Sequence, residues 1–440
     1  MAANRGRCLY FMFVILTLLG LLGIYCDETI SYSSIENGYI CNSVLWRFIM
    51  PATCPVLSRY FPATKLLYQV VIDAGSTGSR VHIFRFRQSI TGIKLENSDF
   101  KEIEPGLSYY PTKPEKGVYS VSGLLKKALD VVPRNKWKST PVSLRATAGL
   151  RLLPDSLSHN IIEEVRKLLM VTPFKKIDSD FISIMNGDDE GIFAWTTLNF
   201  LSGNLVKPSG ETLGALDLGG GSAQIVFKPM SKETILSSPE THMNTVKIMG
   251  AKHDLYSYSY LGLGLMSARQ AVLNFTTLSG NGNISSSPCI LPSYKGSWSF
   301  SGNDFVVHGN RSFNYENCLH YIEQIVTNVH QPAEIVDRRF FAFSYFHDIA
   351  IALGLVGHDN GGLLSLESYL EAAKKVCSME SYKKLNKSPF LCLDAVYITT
   401  LLRKGYGFRD SQFLQIARKI NNVEVSWALG AALHMLDDAA

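Results

Sequence analysis

Hydrophobic and polar positions alternate along the chain between short apolar runs of strand length and longer stretches of helical period. Residues 67–72, Leu67-Tyr68-Gln69-Val70-Val71-Ile72, form an apolar run bounded by turn residues, which predicts a strand. It gives way to Asp73-Ala74-Gly75-Ser76-Thr77-Gly78-Ser79-Arg80 and resumes over 81–86 with period-two alternation: strand, glycine turn, strand. The pattern returns roughly 140 residues later, where 212–216 lead into Asp217-Leu218-Gly219-Gly220-Gly221-Ser222-Ala223-Gln224 and then Ile225-Val226-Phe227. Two such units predict an internal duplication, with two similar lobes facing each other. Between them, 142–147 read as a strand running into Ala148-Gly149-Leu150-Arg151, and 160–170 as a helix. Residues 182–185 read as a further strand, then Gly187-Asp188-Asp189-Glu190-Gly191 opens a helix through Trp195 to Leu201. Strands alternating with helices make an α/β architecture.

The N-terminus breaks this pattern. Arg5 and Arg7 precede an almost unbroken apolar run over 9–25, followed by Asp27 and Glu28. A run of roughly 17 residues is at the short end of a bilayer span. With no small-x-small cleavage site behind it, it predicts an uncleaved type II signal-anchor over 9–26 rather than a cleaved signal peptide. Residues 1–8 would then be a cytosolic tail and 27–66 a stem, with everything downstream lumenal and no second anchor at the C-terminus. Of the eight cysteines, Cys8 and Cys26 flank the apolar run and Cys41 and Cys54 lie in the stem. Cys289, Cys318, Cys377 and Cys392 could pair in three ways, of which two local staples are the simplest. No C-x-x-C or neighbouring His pair suggests a metal centre. Sequons begin at Asn274, Asn283, Asn310 and Asn386.

Length and composition add bounds. At 440 residues the chain suggests two domains, and 46% hydrophobic with 18% charged residues suits a folded protein without disordered bulk. A net charge of +5, spread rather than massed, gives no reason to expect nucleic acid as a partner.

The chemistry gathers at the turns. A glycine turn after a strand can point backbone N–H groups at phosphate oxygens, although a plain hairpin needs the same glycines. Gly75, Ser76, Thr77 and Gly78 in one unit, and Gly219, Gly220 and Gly221 in the other, are the candidates. Arg80, Ser222 and Ala223 flank these turns, Ala148 and Gly149 follow the strand that ends at Thr147, and all five complete the expected phosphate cradle. Each turn is introduced by a carboxylate, Asp73 or Asp217. The pair would hold a hydrated Mg²⁺ or Ca²⁺, the alternative being that each caps its own turn. Glu190, at a strand-to-helix junction, is the candidate general base, its pKa raised by Asp188 and Asp189; the plainer role is to complement the helix dipole. Ser222 and Gln224 could orient the attacking water, and Thr147 could contact a phosphate oxygen. Phe341, Phe343, Tyr345, Phe346 and Trp427 are candidates to stack on a base, with core packing the competing role. Gly-x-Ser-x-Gly and Gly-Lys-Ser/Thr signatures are absent, and the ten histidines lack metal-ligand spacing.

Asp73-Ala-Gly-Ser-Thr-Gly-Ser-Arg80, Ala146-Thr-Ala-Gly-Leu-Arg151, Gly187-Asp-Asp-Glu-Gly191 and Asp217-Leu-Gly-Gly-Gly-Ser-Ala-Gln224 resemble, in order and spacing, the first four conserved regions of the apyrases. This is the nucleoside triphosphate diphosphohydrolase (NTPDase) family, and Trp427-Ala-Leu-Gly430 resembles its fifth region. The stretch from Pro141 to Pro154, Ser388-Pro-Phe-Leu-Cys392 and Ser259-Tyr-Leu-Gly262 are similar to the lumenal or secreted branch, the type five and type six NTPDases, which prefer UDP and GDP.

The resemblance implies two actin-like, ribonuclease-H-like lobes, 67–211 and 212–414, with the active site in the cleft between them and a C-terminal segment, 415–440, packing back on the first. It places Glu190 on the catalytic glutamate, Asp73 and Asp217 on the metal-organising aspartates, and Ser222 and Gln224 on the water-positioning pair. It also implies the pairs Cys289–Cys318 and Cys377–Cys392. The implied activity is Ca²⁺- or Mg²⁺-dependent hydrolysis of nucleoside diphosphates in the lumen of the endoplasmic reticulum or Golgi, in a membrane-anchored or released form, clearing what glycosyltransferases leave. A broad tri- and diphosphatase, an exopolyphosphatase-like hydrolase and a nucleotide-binding module without turnover are the alternatives. A monomer and a disulfide-linked dimer through Cys41 or Cys54 both fit. One departure is Gly221, where many members have alanine, a change expected to leave backbone contacts to phosphate intact.

Overall fold

The computed structural model describes residues 64–89, 92–176, 180–205, 211–277, 283–358, 361–378 and 388–437. The expected anchor over 9–26, the stem up to residue 63, Cys8, Cys26, Cys41, Cys54 and Asn386 lie outside them, while the last two residues of the expected stem, Lys65 and Leu66, already belong to the first strand. Among the described residues no helix is long and apolar enough to cross a membrane.

The first sheet has five strands: β1 (Lys65–Ala74), β2 (Ser79–Ser89), β3 (Gly92–Ile103), β4 (Val142–Ala146) and β5 (Ile182–Ile184), in the order β3-β2-β1-β4-β5. β1 pairs in parallel with β4, placing Asp73 opposite Arg145, and β4 in parallel with β5. Parallel neighbours need crossovers, supplied here by α1 (Pro114–Val131), α2 (Ala148–Arg151) and α3 (Asp155–Met170). Val70, Ile72, Val142 and Leu144 from the strands are fully buried with Leu124 of α1 and Val165 of α3. Each such side chain contributes about 1.5–3 kcal/mol on leaving water. Arg85–Glu96, at the ends of β2 and β3, group apart with the start of β1 up to Leu67; within that unit Arg85 and Arg87 both pair with Glu96. Tyr68–Phe84 and Asn97–Ala440 group as one compact unit.

The second sheet draws on α4 (Gly187–Leu201), β6 (Gly214–Leu218), β7 (Ser222–Phe227), α5 (Lys232–Ser237), β8 (Met243–Ile248), β9 (Ala251–Leu261) and α6 (Leu265–Phe275). A small three-stranded sheet follows, β10 (Ile284–Ser287), β11 (Lys295–Phe300) and β12 (Asn303–Gly309). Then come α7 (Tyr315–Ile325), β13 (Phe340–Ser344), α8 (Tyr345–Leu353), β14 (Gly362–Ser365), α9 (Leu366–Val376), α10 (Leu391–Thr400), β15 (Phe413–Ile416), the hairpin β16 (Lys419–Ile420) and β17 (Val423–Glu424), and α11 (Trp427–Asp437). The seven-stranded order is β14-β15-β13-β6-β7-β9-β8. Its middle, β9-β7-β6-β13-β15, repeats the arrangement β3-β2-β1-β4-β5, with β6 parallel to β13 as β1 is to β4. The duplicated glycine-turn pattern thus corresponds to a duplicated strand order. Cys289–Cys318 and Cys377–Cys392 are disulfide-bonded, the pairs the resemblance implied.

α4 is buried on nearly every side, as expected of a helix apolar all round. It leaves the edge strand of the first sheet but lies against β6, β7 and β9 of the second, with α11 also packed on it. Asn199 ties it down, donating to the Leu213 carbonyl at 3.0 Å and accepting from the Leu213 amide at 2.9 Å.

Candidate active site

Both glycine turns are built by the same device. A planar trans peptide points its C=O and the next N–H in opposite directions. In the second turn the carbonyls of Gly219 and Gly220 accept from Leu265 and Met266 at the start of α6, both at 2.9 Å, and that of Gly221 accepts from Gly262 at 2.8 Å. This turns the N–H groups of Gly220, Gly221 and Ser222 away from α6. In the first turn Ala74, Ser76 and Thr77 have their carbonyls taken by the Thr147 amide, the Ser108 hydroxyl and the Gly106 amide, at 3.2, 3.3 and 3.1 Å. The N–H groups of Gly75, Thr77 and Gly78 therefore turn away from those partners.

The two turns touch. A Cβ on Gly220 would come within 2.4 Å of Ser76 Oγ, and one on Gly149 within 2.7 Å of Ser76 Cα. Gly221 packs as closely: an added Cβ would meet that of Ala148 at 2.8 Å. Alanine at 221 would therefore require α2 to shift.

A cavity of about 280 Å³ is lined by Asp73, Gly75, Ser76, Thr77, Arg80, Thr147, Ala148, Glu190, Asp217, Gly219, Gly220, Gly221 and Ser222, all expected from sequence. Gly78, Gly149, Ala223 and Gln224, also expected from sequence, are not part of its lining. A larger cavity of about 880 Å³, along α4 and α11, contains none of the three central carboxylates.

Those three are buried: Asp73 is 8%, Asp217 7% and Glu190 7% exposed. Burial raises Asp73 to about 6, against the pull of Arg80, which contacts it at 3.4 Å and also pairs with Glu102 at 2.6 Å. Burial raises Asp217 to about 6 as well, moderated by a hydrogen bond from Ser344. Glu190 is pushed up to about 8 by burial; Arg151, 2.6 Å away, opposes this, while Asp217 and Asp73 reinforce it. The sequence expectation that Asp188 and Asp189 do the raising is overturned: both stand outside the cavity, Asp189 exposed, whereas Glu190 points inward. Asn186 caps α4, its side chain accepting from the Asp188 amide at 2.9 Å, and so aims the first turn of the helix.

Beside Glu190 lies a polar relay. Gln224 donates to Ser222 Oγ at 2.7 Å and to Ser259 Oγ at 2.9 Å, leaving its own buried Oε1 without a partner. Arg151 donates to Glu190 Oε2 and, at 3.4 Å, to Ser222 Oγ. A buried acceptor left open beside a carboxylate is suited to hold a water.

Sequence reasoning assigned no role to Arg151, although it closes the second motif, and missed Ser344, Asp348, Arg418 and Glu424, which reach the cavity from the last quarter of the chain. Of the aromatic candidates, Phe341, Phe343 and Phe346 are core residues, 4%, 0% and 0% exposed, whereas Tyr345 and Trp427 line the cavity.

The lining has seven carboxyl groups (Asp73, Glu102, Glu104, Glu190, Asp217, Asp348 and Glu424) against two guanidiniums, Arg80 and Arg418. Asp73 Oδ1 is buried without a hydrogen-bond partner. An acceptor-only oxygen in an acid-rich cavity fits a hard divalent cation. Among the described residues no cluster of three His, Cys, Asp or Glu could ligate one directly, so Asp73 and Asp217 would hold it through water.

The GDA1/CD39 (nucleoside phosphatase) family profile matches residues 62–440. The chain belongs to the GDA1/CD39 nucleoside phosphatase family. GDA1/CD39 relatives include the human nucleoside diphosphate phosphatase ENTPD5, 40% identical over 377 residues, or 84% of this chain and 87% of that one. Human ectonucleoside triphosphate diphosphohydrolase 6 is 41% identical over 380 residues, covering 85% and 78%. Among solved structures, a nucleoside triphosphate hydrolase from Neospora caninum superposes with a TM-score of 0.60 at 16% identity, covering 87% of this chain and 95% of that one, a likeness of fold. This GDA1/CD39 member is thus a hydrolase with an α/β fold of mixed sheets.

Proposed function

We propose that the protein is a divalent-metal-dependent nucleoside diphosphatase, converting nucleoside diphosphates, UDP and GDP first, into monophosphate and orthophosphate. The observation that carries this reading is the convergence of Asp73, Asp217 and Glu190, with both glycine turns, on one buried cavity. The two sheets act as the two lobes, 67–211 and 212–414, with α4 crossing from the first to lie on the second and α11 packed on α4. Asp73 and Asp217 would hold Mg²⁺ or Ca²⁺, which supplies positive charge for the phosphate oxygens and the carboxylates alike.

The N–H groups of Gly75, Thr77, Gly78, Gly220, Gly221 and Ser222, with the hydroxyls of Ser76, Thr77 and Thr147, grip the phosphates, assisted by Arg80. Gly149 and Ala148 shape the contact between the turns, and Gly219 and Ala223 hold the second turn in place. Ser222 and Gln224 orient a water towards the terminal phosphorus. Glu190 takes its proton as the new P–O bond forms and the bond to the bridging oxygen breaks, leaving the electron pair on the monophosphate. Arg151 keeps Glu190 turned towards that water.

The setting we propose is the lumen of the endoplasmic reticulum or Golgi, with residues 9–26 as anchor or the body released, where removal of nucleoside diphosphates supports glycosylation. Asn274 and Asn283 are exposed and open to glycan addition. The test is phosphate release from a panel of nucleoside di- and triphosphates with Mg²⁺, Ca²⁺ or EDTA. Metal-dependent turnover of UDP or GDP well above ATP is expected. Equal turnover of triphosphates would make it a broad tri- and diphosphatase, and no turnover would leave a binding module.

A further inference from the structure

Five non-glycine residues among those described have a positive φ. Four are hairpin corners: Met249 between β8 and β9, Ser301 between β11 and β12, and Asn421 and Asn422 between β16 and β17. The fifth is different. Ser344, at φ 56° and ψ −132°, stands where β13 breaks sharply into α8, in a region that a side chain makes costly and that glycine usually fills. As the N-cap of α8 its hydroxyl should accept from an amide in the first turn, yet it makes no cap bond. Ser344 instead stands beside Asp217, on the strand that pairs with β13, where its hydroxyl holds that carboxyl's pKa down, and both residues line the acid-rich cavity.

A serine on a strained strand-to-helix corner is a known way to throw a hydroxyl into a cleft at the end of a sheet. Here no histidine stands among the cavity lining to activate it as a nucleophile. The hydroxyl has a different partner, a buried carboxylate otherwise without a cation of its own. Arg80, the nearest guanidinium, is engaged with Asp73 and Glu102.

We propose that Ser344 is a positioning residue for Asp217: the fold holds a strained backbone so that this hydroxyl fixes the carboxylate in the orientation that receives a divalent cation. The inference rests on the metal-dependent reading above and adds to it a residue that the glycine-turn motifs do not contain. Glycine at 344 relieves the strain and removes the hydroxyl, whereas alanine removes the hydroxyl and keeps the strain. The two losses therefore separate.

The experiment uses the chain with Ser344→Gly or Ser344→Ala, followed by thermal unfolding in EDTA, by titration of Mg²⁺ alone against the melting temperature, and by steady-state phosphate release. Ser344→Gly is expected to melt at or above the unsubstituted protein in EDTA, relief of strain outweighing the extra chain entropy of glycine. Both variants are expected to need roughly ten-fold more Mg²⁺ for half the melting shift, as loss of a hydrogen bond to a charged group implies, and to lose roughly ten-fold in kcat with KM little changed. If Ser344→Ala does not fold, Ser344→Gly alone carries both measurements. A Ser344→Gly protein that melts below the parent in EDTA, or Mg²⁺ half-saturation equal to that of the parent, would overturn the proposal. If the unsubstituted protein turns over no nucleotide, the functional reading fails instead, and the Mg²⁺ and melting comparisons still decide the role of Ser344.

Discussion

The two glycine turns share a pattern, Asp-x-Gly at the end of a buried strand, and differ in what neutralises the aspartate. Asp73 has a guanidinium beside it, but Arg80 also serves Glu102. Asp217 makes no ion pair among the described residues; the neutral hydroxyl of Ser344 holds it down, with a smaller pull from the charge of Arg80. Both carboxyls nevertheless rise to about 6, because burial outweighs either partner. What the halves do with their surroundings also differs. The first turn faces a guanidinium and hydroxyls, which the proposed reaction would use to grip phosphate. The second runs through Ser222 and Gln224 into Arg151 and Glu190, which the proposed reaction would use to direct water. Duplication supplied two similar corners, and the side chains around them divide the work.

The comparison breaks most completely at Glu190, which only the second turn addresses. Glu190→Gln should keep nucleotide binding and lose roughly 10²–10⁴ in kcat, read by phosphate release and by equilibrium binding of a diphosphate. Gly220→Ala attacks the contact between the turns. With Ser76 Oγ 2.4 Å and Thr77 Cγ2 2.9 Å from the added Cβ, these two side chains must turn out of place, and we expect a loss of roughly 10² in kcat/KM with a lowered melting temperature.

Arg80→Gln and Ser222→Ala sharpen the division of labour. The first should raise KM and the metal requirement more than it lowers kcat; the second should lower kcat roughly ten-fold with KM nearly unchanged. The last effect is on stability rather than on turnover. Asp73, Asp217 and Glu190 have folded pKa values above their ordinary ones of 3.8, 3.8 and 4.5, so the folded protein binds more protons than the unfolded chain between about pH 4 and 8. Their contribution is complete below pH 4 and is lost as pH rises through about 6 for the aspartates and about 8 for Glu190, on the order of 3 kcal/mol for each aspartate. Melting in EDTA should therefore fall from pH 5 to pH 8, Mg²⁺ should restore it, and Asp73→Asn should flatten the slope.

Much of this was legible because it is local. Strand, aspartate and glycines lie within eight consecutive residues of each other in both turns, and the strand-to-helix junction before Glu190 announces itself by its own composition. What was not legible depends on crossovers. Arg151 and Glu190 are 39 positions apart and meet only because α4 departs from β5 and lies on the other sheet. Arg418, Glu424 and Ser344 carry no local signal, and they arrive because β13 and β15 extend the second sheet beside β6. The aromatic residues show the same limit: Phe343 and Tyr345 are two positions apart, one in the core and one in the cavity, separated by the corner at Ser344. The raising of Glu190 was attributed to its neighbours in sequence, but the charges that count are those that folding brings into the same cavity.

The packing of α11 on α4 has a consequence in time. A Cβ on Gly430 would lie 2.1 Å from the Phe193 carbonyl oxygen, and the Gly430 amide donates to Thr197 Oγ at 2.8 Å, so the two helices close on each other without room for a substitute. The helix that bears Glu190 is synthesised well before α11, with the whole second sheet between them in the chain. Until α11 follows, α4 carries Glu190 with one flank bare. The seating of that side chain therefore waits on a late segment, and a chain cut before residue 427 would leave this flank of α4 open to water.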